Sequence, residues 1–221
     1  MPIVNRIAAM QGDITAWRRD IHANPEVLYD VHRTAATVAD KLKSFGCDEV
    51  VTGIGRTGVV GVIRGGRGNG RVIGLRADMD ALPIEEFGNV PYRSTVAGKM
   101  HACGHDGHTA MLLGAAHYLA ETRNFSGTAV VIFQPAEEGG AGGKAMVQDG
   151  LMERFRIEEV YGMHNYPGLS SGRIRAMLKL TPPSSAGFLH ALSPQATPYP
   201  SPRPRQRRAP FGERDRRCWR T

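Results

Sequence analysis

One short stretch, residues 100–108, limits the folds and functions open to this chain more than any other. It reads MHACGHDGH and carries His101, Cys103, His105, Asp106 and His108 within eight positions. Thiolate, imidazole and carboxylate groups are common protein ligands of zinc-like divalent metals, and the glycines allow turns that let Cys103 and His105 face one centre. His101 and His108, taken singly, could equally well cap the helix that follows instead of binding a metal. The stretch predicts a metal site, which requires a fold that brings further ligands to it.

Three strand-like runs elsewhere in the chain end in potential metal ligands. Residues 72–77 lead to Asp78 and Asp80, residues 128–134 lead to Glu137 and Glu138, and residues 159–163 lead to His164. Open α/β sheets place their sites at the ends of such strands, so we expect the three ends and the 100–108 stretch to converge. Two alternatives remain open at this stage. Asp78 and Asp80 could be solvated turn residues, and the paired glutamates could point to opposite sides of a regular strand.

The remaining patterns indicate helices packed on a sheet. Apolar residues recur at helical spacing over residues 11–23 and 33–45, and Gly46 suits a C-terminal cap of the second helix. The β-branched runs at residues 58–63 and 72–77 are separated by GGRGNG. This pattern predicts a hairpin or a pair of adjacent strands.

A third helix is expected directly after the candidate metal ligands. Residues 109–119 carry an apolar stripe, and Asp106 is expected to be the N-cap of this helix. The positive end of the helix dipole would then lie beside Cys103. We therefore expect the helix to favour the thiolate form of this cysteine.

The composition is that of a globular domain followed by a basic tail. Of the 221 residues, 41% are hydrophobic and 22% are charged, which is ordinary for such domains. No apolar run approaches a membrane span or a secretion signal, and the three cysteines are too scattered for a disulfide framework. Residues 191–221 contain eight arginines against Glu213 and Asp215, a net charge of +6 out of the total of +7. We therefore expect a cytoplasmic protein with no nucleic-acid-binding face and no membrane partner.

Long motifs of this chain resemble a known family of metal-dependent amidohydrolases. They read RADMDALP, MHACGHDGHTAMLLGAA, FQPAEEGGAGGKAMVQDG and YGMHNYPGLSSGRI, in this order. The family includes hippurate hydrolase, the indole-acetyl-amino-acid hydrolases and N-acetyl-diaminopimelate deacetylase, and it is related to zinc carboxypeptidases and aminoacylases. With WRRDIHANPE and HRTAATVADKL near the N-terminus, the resemblance covers about residues 10–175. It implies an α/β, three-layer, zinc-peptidase-like catalytic domain with a mixed central sheet flanked by helices.

The resemblance also implies roles for individual residues. Metal ligands are implied at Cys103, His105, Glu138 and His164, a general base at Glu137, and a supporting carboxylate at Asp80. Asp78 stands where the carboxypeptidase relatives have a ligand histidine, which leaves its role open. Members of the family bind two divalent ions, variously Zn²⁺, Mn²⁺ or Ni²⁺, and cleave the amide between an acyl group and an amino acid. The expected partner is therefore a small N-acyl amino acid such as hippurate.

The resemblance ends after about Arg175. Family members continue with a lid and dimerisation domain and with a return segment that carries a last ligand histidine, and His190 matches neither motif. We expect residues 1–178 to form an incomplete catalytic domain, with activity lost or reduced and oligomeric state open. Residues 179–221 are rich in Pro and Arg, so we expect a disordered tail, either a frameshift product or an evolved basic arm.

Three other functions compete with an active amidohydrolase. A metal-binding pseudoenzyme would retain the ligands without turnover. A nucleic-acid-binding arm would use the arginines of the tail, although no recognisable motif accompanies them. A hydrolase with Cys103 as its nucleophile would leave Glu137 and Glu138 without an evident role. A metal-dependent amidohydrolase is the leading hypothesis.

Overall fold

The fold of this chain is built on a mixed β-sheet, which a computed structural model describes within residues 5–166. Its strands in chain order are β1 (Glu49–Ile54), β2 (Gly58–Arg64), β3 (Val72–Asp78), β4 (Thr128–Gln134) and β5 (Glu159–Gly162). In space the order is β1-β2-β4-β3-β5. Strand β3 runs parallel to β4 and β5, whereas β2 runs antiparallel to β1 and β4. The predicted mixed sheet is confirmed.

Helices cover both faces of this sheet. They are α1 (Asn5–Ala9), α2 (Gln11–Ala23), α3 (His32–Ser44), α4 (His105–Thr122), α5 (Gly142–Gln148) and α6 (Leu151–Phe155). Helices α3 and α4 pack on one face, with α2 against α4, and α5 and α6 cover the other face. The predicted three-layer arrangement is therefore present. The predicted bounds of α2 and α3 hold to within one residue, and Gly46 follows α3 with φ +79°, as its capping role requires.

Strand β4 lies at the centre of the core. Its side chains alternate between the two faces, so Val131 and Phe133 join the cluster under α3 and α4, while Val130 and Ile132 join the cluster under α5 and α6. A strand that is buried on both faces has no position for a polar side chain facing water. This burial explains the uninterrupted apolar run that the sequence shows there.

The predicted pairing of the second and third strands is wrong. Strand β4 lies between β2 and β3, with Val130 opposite Val62 on one side and Gly74 on the other. The two predicted strands do run antiparallel, as in a hairpin, but the most apolar strand takes the central position. Strand β1 was not predicted, and its half-exposed pattern is typical of an edge strand with little hydrophobic signal.

The parallel strands bring their carboxyl ends to one edge of the sheet. Asp78, the last residue of β3, pairs with Gln134, the last residue of β4, and Arg76 pairs with Gly162 of β5. The loops that follow all three strands therefore leave the sheet side by side. No helix within residues 5–166 is long and apolar enough to cross a membrane. The predicted domain boundary at residue 178, His190 and the tail lie outside the described residues.

Candidate metal centre

His105 lies at the centre of the candidate site. It is the first residue of α4 and is fully buried. Its Nδ1–H donates to the backbone carbonyl of Asp80 at 2.7 Å, whereas its Nε2 atom is buried and has no hydrogen-bond partner within the described residues. A backbone acceptor on one ring nitrogen fixes the tautomer that leaves the other nitrogen free to bind a metal. The ring is thus oriented as a metal ligand.

The start of α4 differs from the prediction. The N-cap is Gly104 in a left-handed conformation, with φ +92°, rather than Asp106, which lies within the first turn. The Asp106 carboxylate instead accepts hydrogen bonds from His22 Nδ1 at 2.8 Å and Arg18 Nε at 3.1 Å. Because both donors come from α2, these hydrogen bonds of Asp106 hold the start of α4 against α2. Neither partner was predicted, since nothing local in the sequence links α2 to residue 106.

Cys103 and His164 face each other beside His105. The Cys103 Sγ atom lies 3.3 Å from Nε2 of His164. The other nitrogen of His164, Nδ1, donates to the backbone carbonyl of Asn165 at 2.7 Å, so Nε2 faces the site. One donor atom from each of Cys103, His105 and His164 lies within 4.8 Å of the others, a separation at which a single metal ion could contact all three.

The paired glutamates also approach His105. One carboxylate oxygen of Glu138 lies 3.8 Å from Nε2 of His105, and one of Glu137 lies 4.0 Å from the same atom. Their side chains do not point to opposite sides, as they would in a regular strand. Ala136, with a φ of +51°, turns the chain after β4, so that both side chains reach the site. His105 therefore shares one donor set with Cys103 and His164 and another with the two glutamates.

Asp80 positions both glutamates. Its two carboxylate oxygens accept the backbone N–H groups of Glu137 and Glu138, each at 3.0 Å. The side chain is fully buried, and one of its oxygens lies 3.4 Å from Nδ1 of His105. One carboxylate thus orients three of the groups at the site, which excludes the alternative of a solvated turn residue.

Asp78 is equally buried but already has partners. Its oxygens accept hydrogen bonds from Arg76 and from Nδ1 of His108, both at 2.6 Å. Burial alone would raise the pKa of this carboxyl, but the hydrogen bond from His108 and the charge of Arg76 hold it well below its usual range. Asp78, His105 and His108 form a third set close enough for a metal, although both His108 nitrogens already lie within hydrogen-bond distance of other groups. His108 is therefore a partner of Asp78 rather than a helix cap.

The electrostatics around Cys103 also differ from the prediction. Burial and the neighbouring Glu138 carboxylate raise the pKa of the Cys103 thiol to about 12, so its surroundings favour the neutral thiol rather than the predicted thiolate. A bound cation would reverse this balance, because metal coordination deprotonates a thiol. His101 is also buried, and burial lowers its pKa to about 4. Neither of its ring nitrogens has a partner within residues 5–166.

Comparisons with known proteins show which family this chain belongs to. Residues 74–214 match the sequence model of peptidase family M20/M25/M40. Hippurate hydrolase of Campylobacter jejuni is 53% identical over 167 residues, which are 76% of this chain and 43% of that protein. IAA-amino acid hydrolase ILR1-like 5 of Arabidopsis thaliana is 41% identical over 177 residues, 80% of this chain and 40% of that protein.

A solved structure shares the fold. The YXEP protein of Bacillus subtilis, described as a dinuclear metal-binding peptidase of the M20 family, matches with a TM-score of 0.71 and 38% identity over 77% of this chain and 48% of that one. The chain thus spans less than half the length of each of these relatives. The family match covers more than half of the chain, and the donor sets around His105 lie within it. The chain therefore belongs to peptidase family M20/M25/M40.

Proposed function

We propose that this chain carries the metal centre of an amidohydrolase that cleaves N-acyl amino acids. The observation that carries the proposal is the buried Nε2 atom of His105, which has no hydrogen-bond partner within residues 5–166 and lies within 4.8 Å of thiol, imidazole and carboxylate donor atoms. A buried polar atom without a partner costs free energy. A divalent metal ion would remove this cost, because the surrounding groups are the ligand types that such ions prefer.

The proposed ligands are Cys103, His105, Glu138 and His164. When bound to these residues, divalent ions would polarise an amide carbonyl and lower the pKa of a water molecule. The mixture of sulfur, nitrogen and oxygen donors suits Zn²⁺ or Ni²⁺ better than Ca²⁺ or Mg²⁺, which prefer oxygen alone, and the carboxylate would also accept Mn²⁺. We propose two ions for the complete site, in line with the dinuclear description of the Bacillus subtilis relative.

Glu137 is the proposed general base. Its side chain is 37% exposed, whereas that of Glu138 is 23% exposed, so Glu137 is the more accessible to water and substrate. A carboxylate in this place can take a proton from the attacking water and deliver it to the leaving amine. Asp80 supports both tasks as a positioning residue, since it accepts the backbone N–H groups of both glutamates.

The proposed substrate is a small N-acyl amino acid. Two of the relatives carry names that state such substrates, hippurate and conjugates of IAA with amino acids. Both compounds contain a single amide bond between an acyl group and an amino acid. We propose hippurate as the first substrate to test.

Metal content and turnover test this proposal together. The purified chain is loaded with Zn²⁺, Mn²⁺ or Ni²⁺, desalted, and analysed for bound metal and for glycine release from hippurate. We expect at least one ion per chain, lost in Cys103→Ala and in Glu138→Ala. Glu137→Gln should retain the metal but lose turnover, because the amide cannot accept the proton. As a matched control, Glu121→Gln changes an exposed glutamate of α4 that pairs with Arg6 and should retain both.

The outcomes separate the two functions that require metal. Metal without turnover of any N-acyl amino acid would favour a metal-binding pseudoenzyme, the second candidate. Absence of bound metal from the wild-type chain would overturn both.

A further inference from the structure

The loop after β5 reaches the metal centre through two adjacent residues. His164 presents Nε2 to the site, with the Cys103 Sγ atom at 3.3 Å, while its Nδ1–H donates to the carbonyl of Asn165 at 2.7 Å. Both residues are exposed, so the packing of their own side chains in a core cannot hold them. The orientation of His164 must therefore come from specific contacts of this loop.

His108 connects the loop to the buried core. Its Nδ1–H donates to Asp78 at 2.6 Å, and Asp78 is held in turn by Arg76 at 2.6 Å. Its Nε2 atom lies 2.6 Å from Oδ1 of Asn165 and 3.0 Å from the backbone nitrogen of Asn165. A neutral ring accepts the backbone N–H, and a protonated ring donates to Oδ1. His108 thus keeps a hydrogen bond to Asn165 in either form.

Gly104 provides the space for this contact. A side chain at this position would place its Cβ atom 2.6 Å from Oδ1 of Asn165, and the φ of +92° favours glycine as well. The Asn165 amide therefore packs directly on the residue that lies between Cys103 and His105. The Asn165 side chain thus links the loop after β5 to the start of α4, through Gly104 and His108.

We propose that His108 and Asn165 are positioning residues that hold His164 in place as a metal ligand. The buried Asp78 orients His108, His108 orients Asn165, and the Asn165 carbonyl sets the tautomer of His164. Groups that orient metal ligands through hydrogen bonds typically change metal affinity by ~10–100-fold. This inference rests on the proposed function, because both residues act through a ligand of the proposed centre.

Cobalt binding by the full chain tests the role of His108. Co²⁺ serves as the probe because its charge-transfer absorbance with the Cys103 thiolate reports occupancy directly. His108→Phe keeps the ring and removes both hydrogen bonds, and we expect its Co²⁺ affinity to fall by ~10–100-fold. His117→Phe is the matched control, since His117 lies on the same helix and stacks on Phe45 at 4.3 Å. It should bind Co²⁺ like the wild type.

A double-mutant cycle distinguishes positioning from general destabilisation. In a His164→Ala background the positioned ligand is absent, so His108→Phe should cause no further loss of Co²⁺ affinity. The conservative variant His108→Gln can still reach Asn165 and should recover much of the affinity. An equal loss in the presence and absence of His164 would overturn the inference, as would unchanged Co²⁺ affinity of His108→Phe in the otherwise wild-type chain.

Asn165→Leu keeps the test decisive if His108→Phe does not fold. Asn165 is exposed, so this change should leave the fold intact, and it removes Oδ1 but not the backbone groups. We expect Co²⁺ affinity to fall several-fold, and wild-type affinity would overturn the inference. Failure of the wild-type chain itself to bind Co²⁺ would instead overturn the proposed metal centre, and the inference with it.

Discussion

Replacement of Asp80 by asparagine removes one acceptor from the carboxylate that holds both glutamates of the site. The two oxygens of Asp80 accept the backbone N–H groups of Glu137 and Glu138, each at 3.0 Å, and the side chain is fully buried. Asparagine keeps one oxygen, but its NH₂ group then faces the second backbone N–H. A hydrogen bond to a charged group contributes ~1.5–3 kcal/mol, and an unsatisfied buried donor costs ~1–3 kcal/mol. We therefore expect Asp80→Asn to lower the free energy of unfolding by about 3 kcal/mol.

Urea unfolding in the presence of a chelator measures this loss separately from any loss of bound metal. Asp149→Asn is the matched control, because Asp149 is exposed and accepts one backbone N–H, that of Gly55, at 3.0 Å. Its cost should stay below ~1 kcal/mol. Asp80→Asn should also weaken Co²⁺ binding, since both glutamates lose their anchor, whereas Asp149→Asn should not. Unchanged stability together with unchanged Co²⁺ affinity in Asp80→Asn would refute the positioning role of Asp80.

Three further predictions concern the core, the loop after β4 and the response to acid. Leu113→Ala creates a cavity at a fully buried position of α4 and should lower the free energy of unfolding in urea by ~2–5 kcal/mol. A decrease below ~1 kcal/mol would contradict the burial of Leu113. Gly142→Ala would place a methyl group onto the carbonyl oxygen of Pro135, so we expect the free energy of unfolding in urea to fall by ~1–3 kcal/mol. Co²⁺ binding should also weaken, because Pro135 belongs to the loop that carries the glutamates. Burial would raise the pKa of Asp48, but the backbone N–H of Arg64 and the side chain of Arg123 lower it. Its stabilising effect should therefore be complete above the ordinary aspartate pKa of ~3.9 and decline as the pH falls below it. Asp48→Asn should show a smaller decrease in stability across this range in acid titrations of unfolding, and an unchanged pH profile would contradict the assignment.

The local features of the fold could be predicted because short-range energetics determine them. The apolar spacing in α2 and α3 identifies the side that packs, and Gly46 marks the end of α3 because few other residues adopt a positive φ at low cost. The apolar run of β4 identifies a strand buried on both faces. These features need only the identities of neighbouring residues.

Strand order could not be predicted from the same local signals. The sequence pattern of β2 and β3 fits a hairpin, but a hairpin and two strands separated by a third differ only in long-range pairing. The burial gained by placing β4 in the centre decides between these arrangements. That gain depends on a strand more than 50 residues further along the chain.

The metal centre also combines features that local sequence predicts with features that only long-range packing determines. Residues 100–108 and the polar residues after β3, β4 and β5 predict the types of ligand, because metal chemistry restricts them to a few side chains. Their convergence follows from the parallel direction of the three strands. The roles of Asp106, which binds His22 of α2, and of Asn165, which contacts His108, have no counterpart in any local motif.

The sequence by itself therefore determined helices α2, α3 and α4, strands β2 to β5, the family and the residue types available to bind a metal. The tertiary structure decided which of these residues face each other. The φ of +51° at Ala136 turns both glutamates towards His105, and the buried Asp80 fixes them there. The physical reason is that hydrogen bonds between distant segments, such as Asp80 to Glu137 and His108 to Asn165, depend on the packing of the whole sheet and not on neighbours in the chain.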